Sequence, residues 1–228
     1  MTTQRPALSR SVEDYLKAIY GLSEQGDAAS TSAVAEALDV QPASVTGMVK
    51  RLAEGGLLEH LPYRGVRLTD AGTREALKIL RRHRIIETYL CERLGYAWDD
   101  VHDEAERMEH AVSDNLIERM AAALEFPSHD PHGAPIPTEA GDIEAIDFTT
   151  LAEATPGAAL RIRAVQDYDP EHLRAVEALG LLPGARLRVE SRTDDNVRVT
   201  VAIGDGADET HSVHPEVALH VFVVPDRG

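Results

Sequence analysis

The chain has 228 residues, 43% of them apolar, with one cysteine and a formal net charge of −16. That length suits two or three small domains with ordinary cores. The lone Cys91 excludes a disulfide framework and a thiolate zinc cluster, and no run approaches the ~20 apolar residues of a membrane span. The acidity argues against a strongly basic nucleic-acid binder, but it is uneven. Residues 139–228 hold 17 acidic against 8 basic side chains, whereas residues 1–70 hold 9 against 7. The first residues lack the apolar core of a secretory signal, and a reducing cytoplasm is the expected compartment, with no membrane partner.

Over 11–23, Val12, Tyr15, Leu16, Ile19 and Tyr20 recur at helical spacing and predict a helix with one buried face. Gln25-Gly26-Asp27 breaks it. A short helix is expected over 33–38 with Ser30 or Thr31 as N-cap. After Asp39-Val40-Gln41, Pro42 stands where a helix prefers proline, at its first position, and Gly55-Gly56 supplies a glycine stop. Two short helices joined by a three-residue turn form a helix-turn-helix. In its second helix Val45, Val49 and Leu52 face the core. Leu57 to Leu61, the turn Pro62-Tyr63-Arg64-Gly65, and Val66-Arg67-Leu68 then read as a hairpin wing.

From 70 to about 125 the chain reads as helices, one patterned by Leu77, Leu80, Ile86, Tyr89 and Leu90, and one running from about 101 to 124. Helices outside a compact winged helix commonly form a two-fold dimer interface, and such a dimer matches palindromic DNA. Residues 127–157 are rich in Pro and Gly and read as loop and linker. From about 158 strands are expected over 160–165, 186–191, 197–203 and 217–224, with a short helix over 171–179 and a turn at 204–206, a pattern of a small β-barrel.

The stretch from His102 to His110 carries the chemistry. On a helix, His102, Glu106, Glu109 and His110 share one face, being spaced by four, three and one. One helix earlier His83 and Glu87 are four apart, and Asp14 lies on the first helix. Any one of these is ordinarily a solvated or hydrogen-bonded side chain, and His83 with Glu87 is also an ordinary i,i+4 pair. If the helices pack together, six or seven oxygen and nitrogen ligands converge. Carboxylates and imidazoles without thiolate favour harder ions such as Mn²⁺ or Fe²⁺, with selectivity set by geometry. A carboxylate-bridged redox site would need Glu-x-x-His motifs, and none occurs in this helical region. No Ser-His-Asp order, phosphate loop or dinucleotide fingerprint is convincing either, so no enzymatic activity is expected.

These residues resemble the diphtheria toxin repressor and manganese transport regulator family. The resemblance runs through Val12-Glu13-Asp14-Tyr15-Leu16, Pro42-Ala43-Ser44-Val45-Thr46, Tyr63-Arg64-Gly65, Arg82-His83-Arg84, Val101 to Glu106 with Glu109-His110, Asp130-Pro131-His132-Gly133 with Pro135-Ile136-Pro137, and Leu179 to Gly184. It implies an α+β chain: an N-terminal winged helix-turn-helix DNA-binding domain (1–74), a helical dimerisation and metal-binding domain (75–140), a linker (141–157) and a C-terminal SH3-like domain (158–228). It implies a homodimeric, manganese-dependent or iron-dependent repressor of metal-uptake genes, acting on palindromic double-stranded operator DNA. A metal-dependent activator and a metal-storage or carboxylate-bridged protein are the rival readings. Carried over residue by residue, the primary metal site is Asp14, Glu106, Glu109 and His110. A second is His83, Glu87 and His102, completed by Asp167 or another acid from the barrel.

Carboxylates at 14 and 106 match the manganese-responsive branch, so two Mn²⁺ ions per chain are expected, with Fe²⁺ as the other candidate. Compact members carry Glu one turn after the Asp; here that residue is Lys17, which implies two separated ions. The expected switch is electrostatic. Carboxylates from Asp14 and from Glu106 and Glu109 repel across a gap until a cation ties the first helix to the dimer helices. On the DNA side Ser44, Thr46, Lys50, Tyr63 and Arg64 are placed for phosphate contacts. Gln41, Ala43 and Gly47 lie where base edges or thymine methyls are met, with Pro42 among the DNA-facing residues at the start of that helix, and such small residues predict reliance on DNA shape.

Overall fold

The structure is a computed structural model and describes residues 8–23, 28–61, 63–145, 149–166, 169–193, 195–202 and 208–226. Its internal contacts divide the chain into two units. One comprises residues 1–83, 109–112 and 137–143; the other comprises 84–108, 113–136 and 144–228.

The first unit is built on α1 (Arg10–Ser23), which buries Val12, Tyr15, Leu16 and Ile19 at the three- and four-residue spacing of one helix face. α2 (Thr31–Ala37) starts where the Ser30 hydroxyl accepts from Ala33 N at 3.0 Å. α3 (Pro42–Glu54) opens on proline and closes at Gly55. Val45, Val49 and Leu52 point into a common core with Leu16, Ile19, Val34 and Leu58; each fully buried side chain of this size contributes roughly 1.5–3 kcal/mol of transfer energy. The wing is the antiparallel pair β1 (Leu58–Leu61) and β2 (Gly65–Leu68), with Leu61 opposite Gly65. Ala29 bridges to Val66, each amide donating to the other's carbonyl at 2.9 Å. Gly65 permits this: at φ 109°, a Cβ there would lie 2.2 Å from Ala29 O. α4 (Asp70–Leu94) follows.

In the second unit α5 (Val101–Met108) and α6 (Asp114–Ala123) precede a six-stranded antiparallel sheet. Its strands are β3 (Thr149–Thr150), β4 (Ala159–Val165), β5 (Arg186–Arg192), β6 (Val197–Ala202), β7 (Glu209–Val213) and β8 (Val221–Pro225), in the spatial order β3-β8-β4-β5-β6-β7. α7 (Pro170–Ala178) and α8 (Pro215–Ala218) complete this SH3-like fold. Along β4, Leu160 and Ile162 turn into the core and Arg161 and Arg163 away from it; after the register shift between Ile162 and Ala164, both Ala164 and Val165 are buried. Leu151, Leu173, Val189, Val199 and Val221 join that core, and Trp98 packs against it. The Asp130-to-Gly133 loop lies against β4. Val165 N donates to His132 O at 2.8 Å, and a Cβ on Gly133 (φ 84°) would fall 2.1 Å from Arg163 O.

Four expectations need correction. The helix expected over 101–124 is two helices: α5 ends at Met108, and α6 starts afresh where Ser113 caps it by accepting from Leu116 N. Glu109 and His110 therefore lie in the turn after α5, not on a shared helix face. The stretch read as linker contains β3, which pairs with β8 through Thr149–Val223 and Thr150–Phe222; two residues are too short for any period to show. The last expected strand begins as α8, since Pro215 suits a helix start, and β7 was not anticipated. The expected turn over 204–206 and Asp167 lie outside the described residues.

Candidate metal centre

The inward face of α1 is apolar at Val12, Tyr15, Leu16 and Ile19, and along its edge run Glu13, Asp14 and Lys17. The turn after α5 brings Glu109 and His110 to that edge. Ligand atoms of Asp14, Glu109 and His110 all lie within 4.8 Å of one another. His110 Nε2 is 2.8 Å from Asp14 Oδ1 and 3.3 Å from Glu109 Oε1. Its Nδ1 lies 2.7 Å from Glu13 Oε2. With Nδ1–H donating to that carboxylate, Nε2 carries the lone pair, and this buried atom makes no hydrogen bond in the structure. A lone pair facing two carboxylate oxygens is repulsive unless a cation lies among them. The donor set therefore fits a divalent ion, and the imidazole is held as metal-ligating histidines usually are, by a carboxylate on the other ring nitrogen.

Glu13 was not singled out in the sequence. The available signal was a carboxylate at the rim of the apolar stripe of α1. It is buried, it orients His110, and it accepts from Arg82 Nη1 of α4 at 3.2 Å.

Glu109 is fully buried, and its carboxylate accepts from Lys17 Nζ at 3.0 and 2.9 Å and lies 2.6 Å from His83 Nδ1. Burial alone pushes this carboxyl up. The hydrogen bond from His83 and the Lys17 ammonium outweigh burial and hold it below its ordinary value. With His83 Nδ1–H donating to Glu109, Nε2 is left as the ligating atom of that ring. The expectation of carboxylates repelling across a gap is thus incomplete, because Lys17, His83 and Arg82 already balance Glu109 and Glu13.

In the second unit His102 Nδ1 is 3.2 Å from the buried Glu87 Oε1, and His102 Nε2 is 3.9 Å from Glu106 Oε1. Glu106 thus stands beside His102 on α5. A further buried trio, Glu87, Asp130 and His132, also has its ligand atoms within 4.8 Å. Asp130 is committed elsewhere. Its Oδ1 accepts from His132 N and Ala134 N at 2.9 Å each, and its Oδ2 pairs with Arg84 Nε at 3.4 Å. His132 donates from Nε2 to Trp98 O at 2.7 Å and stacks on the Trp98 ring. This trio shapes the loop against β4.

On α3 and the wing, Gln41, Pro42, Ala43, Ser44, Thr46, Gly47, Lys50, Tyr63 and Arg64 are all exposed. Tyr63 stands out from the wing tip at φ 62°. Thr46 Oγ1 donates back to Pro42 O at 3.2 Å.

An exposed winged helix whose first helix also frames a carboxylate–imidazole cluster defines a metal-responsive DNA-binding regulator. Residues 7–66 match the family model "Iron dependent repressor, N-terminal DNA binding domain". Residues 69–138 match "Iron dependent repressor, metal binding and dimerisation domain", and residues 149–225 match the FeoA domain. The chain is 30% identical over 204 residues to the iron-dependent repressor IdeR of Mycobacterium bovis, covering 84% of this chain and 88% of that protein. It is 39% identical over 116 residues to the regulator MntR of Oceanobacillus iheyensis, covering 51% of this chain and 78% of that one. A solved structure described as a manganese-dependent transcriptional repressor complex with manganese superposes with a TM-score of 0.86 at 37% identity, covering 94% of this chain and 99% of that chain. The chain belongs to the iron-dependent repressor family, whose members are metal-dependent, DNA-binding transcriptional repressors.

Proposed function

We propose that this chain is a manganese-dependent repressor, with Fe²⁺ as the other candidate ion, that acts as a homodimer on palindromic operator DNA upstream of metal-uptake genes. The observation that carries the reading is the cluster of Asp14, Glu109 and His110 on the edge of α1. It offers only oxygen and imidazole nitrogen, a donor set suited to Mn²⁺ and Fe²⁺ rather than to thiophilic ions. Family membership supports DNA binding and dimerisation. Among the described residues no helix is long and apolar enough to cross a membrane.

Two ions per chain are proposed. Asp14, Glu106, Glu109 and His110 would hold the first; His83, Glu87 and His102, with Asp167, would hold the second. The working domain limits are 1–74, 75–140, 141–157 and 158–228. A bound divalent ion supplies the positive charge that Asp14 and Glu109 can share. Asp14 belongs to α1, which packs on α2 and α3. Fixing Asp14 against the 109–110 turn therefore fixes the recognition helix. Such an ion shifts the DNA-competent population only as far as it binds that form better. Gln41, Ala43 and Gly47 would meet the bases and Ser44, Thr46, Lys50, Tyr63 and Arg64 the phosphates, with Pro42 at the DNA-facing start of the same helix. The test is a gel shift on the chain's own candidate promoters with chelator, Mn²⁺, Fe²⁺ and Zn²⁺. Mn²⁺ should tighten binding strongly and Glu106→Ala should remove the effect; equal affinity with and without chelator would sink the reading.

A further inference from the structure

The ammonium of Lys17 lies at 3.0 and 2.9 Å from the two oxygens of Glu109. Glu109 has no solvent-exposed surface, and the Lys17 side chain retains 20% exposure. Both oxygens of a buried carboxylate are therefore held by a cation that the chain carries itself. Oε1, one of the two, is also the oxygen that faces His110 Nε2 at 3.3 Å. A divalent ion taking Asp14, Glu109 and His110 would need that oxygen, and it would stand close to a like charge. Two cations cannot share one carboxylate at contact distance without strong repulsion in a poorly solvated site.

We propose that Lys17 is a tethered cation that competes with the divalent ion for Glu109, so that it weakens metal binding while holding the buried carboxylate in place without an ion. This rests on the metal-site reading above. The residue would set the ion concentration at which the site fills. It would also make α1 less dependent on the ion for its anchorage to the 109–110 turn. A long flexible stem suits the task, because the ammonium can withdraw toward solvent when the ion enters.

The experiment uses the full chain and Mn²⁺ alone. Dissociation constants come from calorimetric titration of wild type, Lys17→Met, Lys17→Gln and Lys17→Arg. Melting temperatures are taken in chelator and in excess Mn²⁺. Competition predicts Mn²⁺ binding tighter by about tenfold or more in Lys17→Met and Lys17→Gln, near wild type in Lys17→Arg, and a larger rise in melting temperature on adding Mn²⁺ to the two neutral variants. A gain in affinity is an outcome that loss of a merely structural lysine would not produce. If Lys17→Met does not fold in chelator, Lys17→Gln, which keeps a hydrogen-bond donor, carries the comparison. Mn²⁺ affinity unchanged or weaker in both neutral variants overturns the proposal while leaving the metal-site reading intact. No Mn²⁺ binding by any of the four chains overturns that reading and the proposal with it.

Discussion

Replacing Glu13 by Gln tests whether the orientation of His110 matters as much as its presence. The side chain keeps its size, so the apolar packing of Val12, Tyr15 and Leu16 is undisturbed. What changes is the acceptor. Glu13 holds His110 Nδ1 at 2.7 Å and Arg82 Nη1 at 3.2 Å, and its side chain is 12% exposed. An amide has one acceptor oxygen for those two donors, and its NH₂ must turn toward one of them. One charge-assisted hydrogen bond is lost, worth about 1.5–3 kcal/mol at a buried position. Losing the group that orients a ligating histidine typically costs about 10- to 100-fold in metal affinity, or about 1.4–2.8 kcal/mol. Calorimetric titration of Glu13→Gln with Mn²⁺ should show a dissociation constant raised by about 10- to 100-fold, while denaturant unfolding in chelator shows stability lower by about 1.5–3 kcal/mol. A variant that binds Mn²⁺ within twofold of wild type would refute the idea that Glu13 fixes the imidazole.

Two further outcomes follow from the second unit. Gly133→Ala places a Cβ 2.1 Å from Arg163 O at φ 84°; the loop must move off β4, and urea unfolding should show a loss beyond the ~1 kcal/mol of strain for a non-glycine residue at positive φ, whereas an unchanged midpoint would contradict the close approach. For Cys91, burial and then the nearby Glu87, Asp130 and Glu92 push the thiol up to about 11. At pH 7.5 its thiolate is scarce, so alkylation by iodoacetamide followed by mass spectrometry should run at least about 100-fold slower in the native chain than in urea, the gap expected from a thiol near 8.5 when unfolded. Similar native and unfolded rates would count against that environment.

Much of the fold is legible along the chain because its signals are local. Pro42 at a helix start, glycines at 55 and 56, Ser30 as a cap and the four-residue wing turn each act within a few positions, and they delimit α2, α3, β1 and β2 without reference to anything distant. The residue types of the metal cluster are legible for the same reason: Asp14, Glu109 and His110 stand out as hard donors beside a winged helix. Their geometry was not. Helical periodicity extended over 101–124 places Glu109 and His110 on a helix, whereas α5 ends at Met108, both residues lie in the turn after it, and a new helix starts at the Ser113 cap.

Sequence alone thus pointed to the donor types this chain offers and to the helix-turn-helix with its wing, since both depend on residue type and short-range pattern. Only the tertiary structure decided how each donor is held. The Glu13–His110 pair joins residues 97 apart and the Lys17–Glu109 pair residues 92 apart. No local propensity encodes such pairings. They arise because burying the apolar face of α1 fixes where its polar edge must lie, and a carboxylate carried into the interior has to find a donor or a cation there.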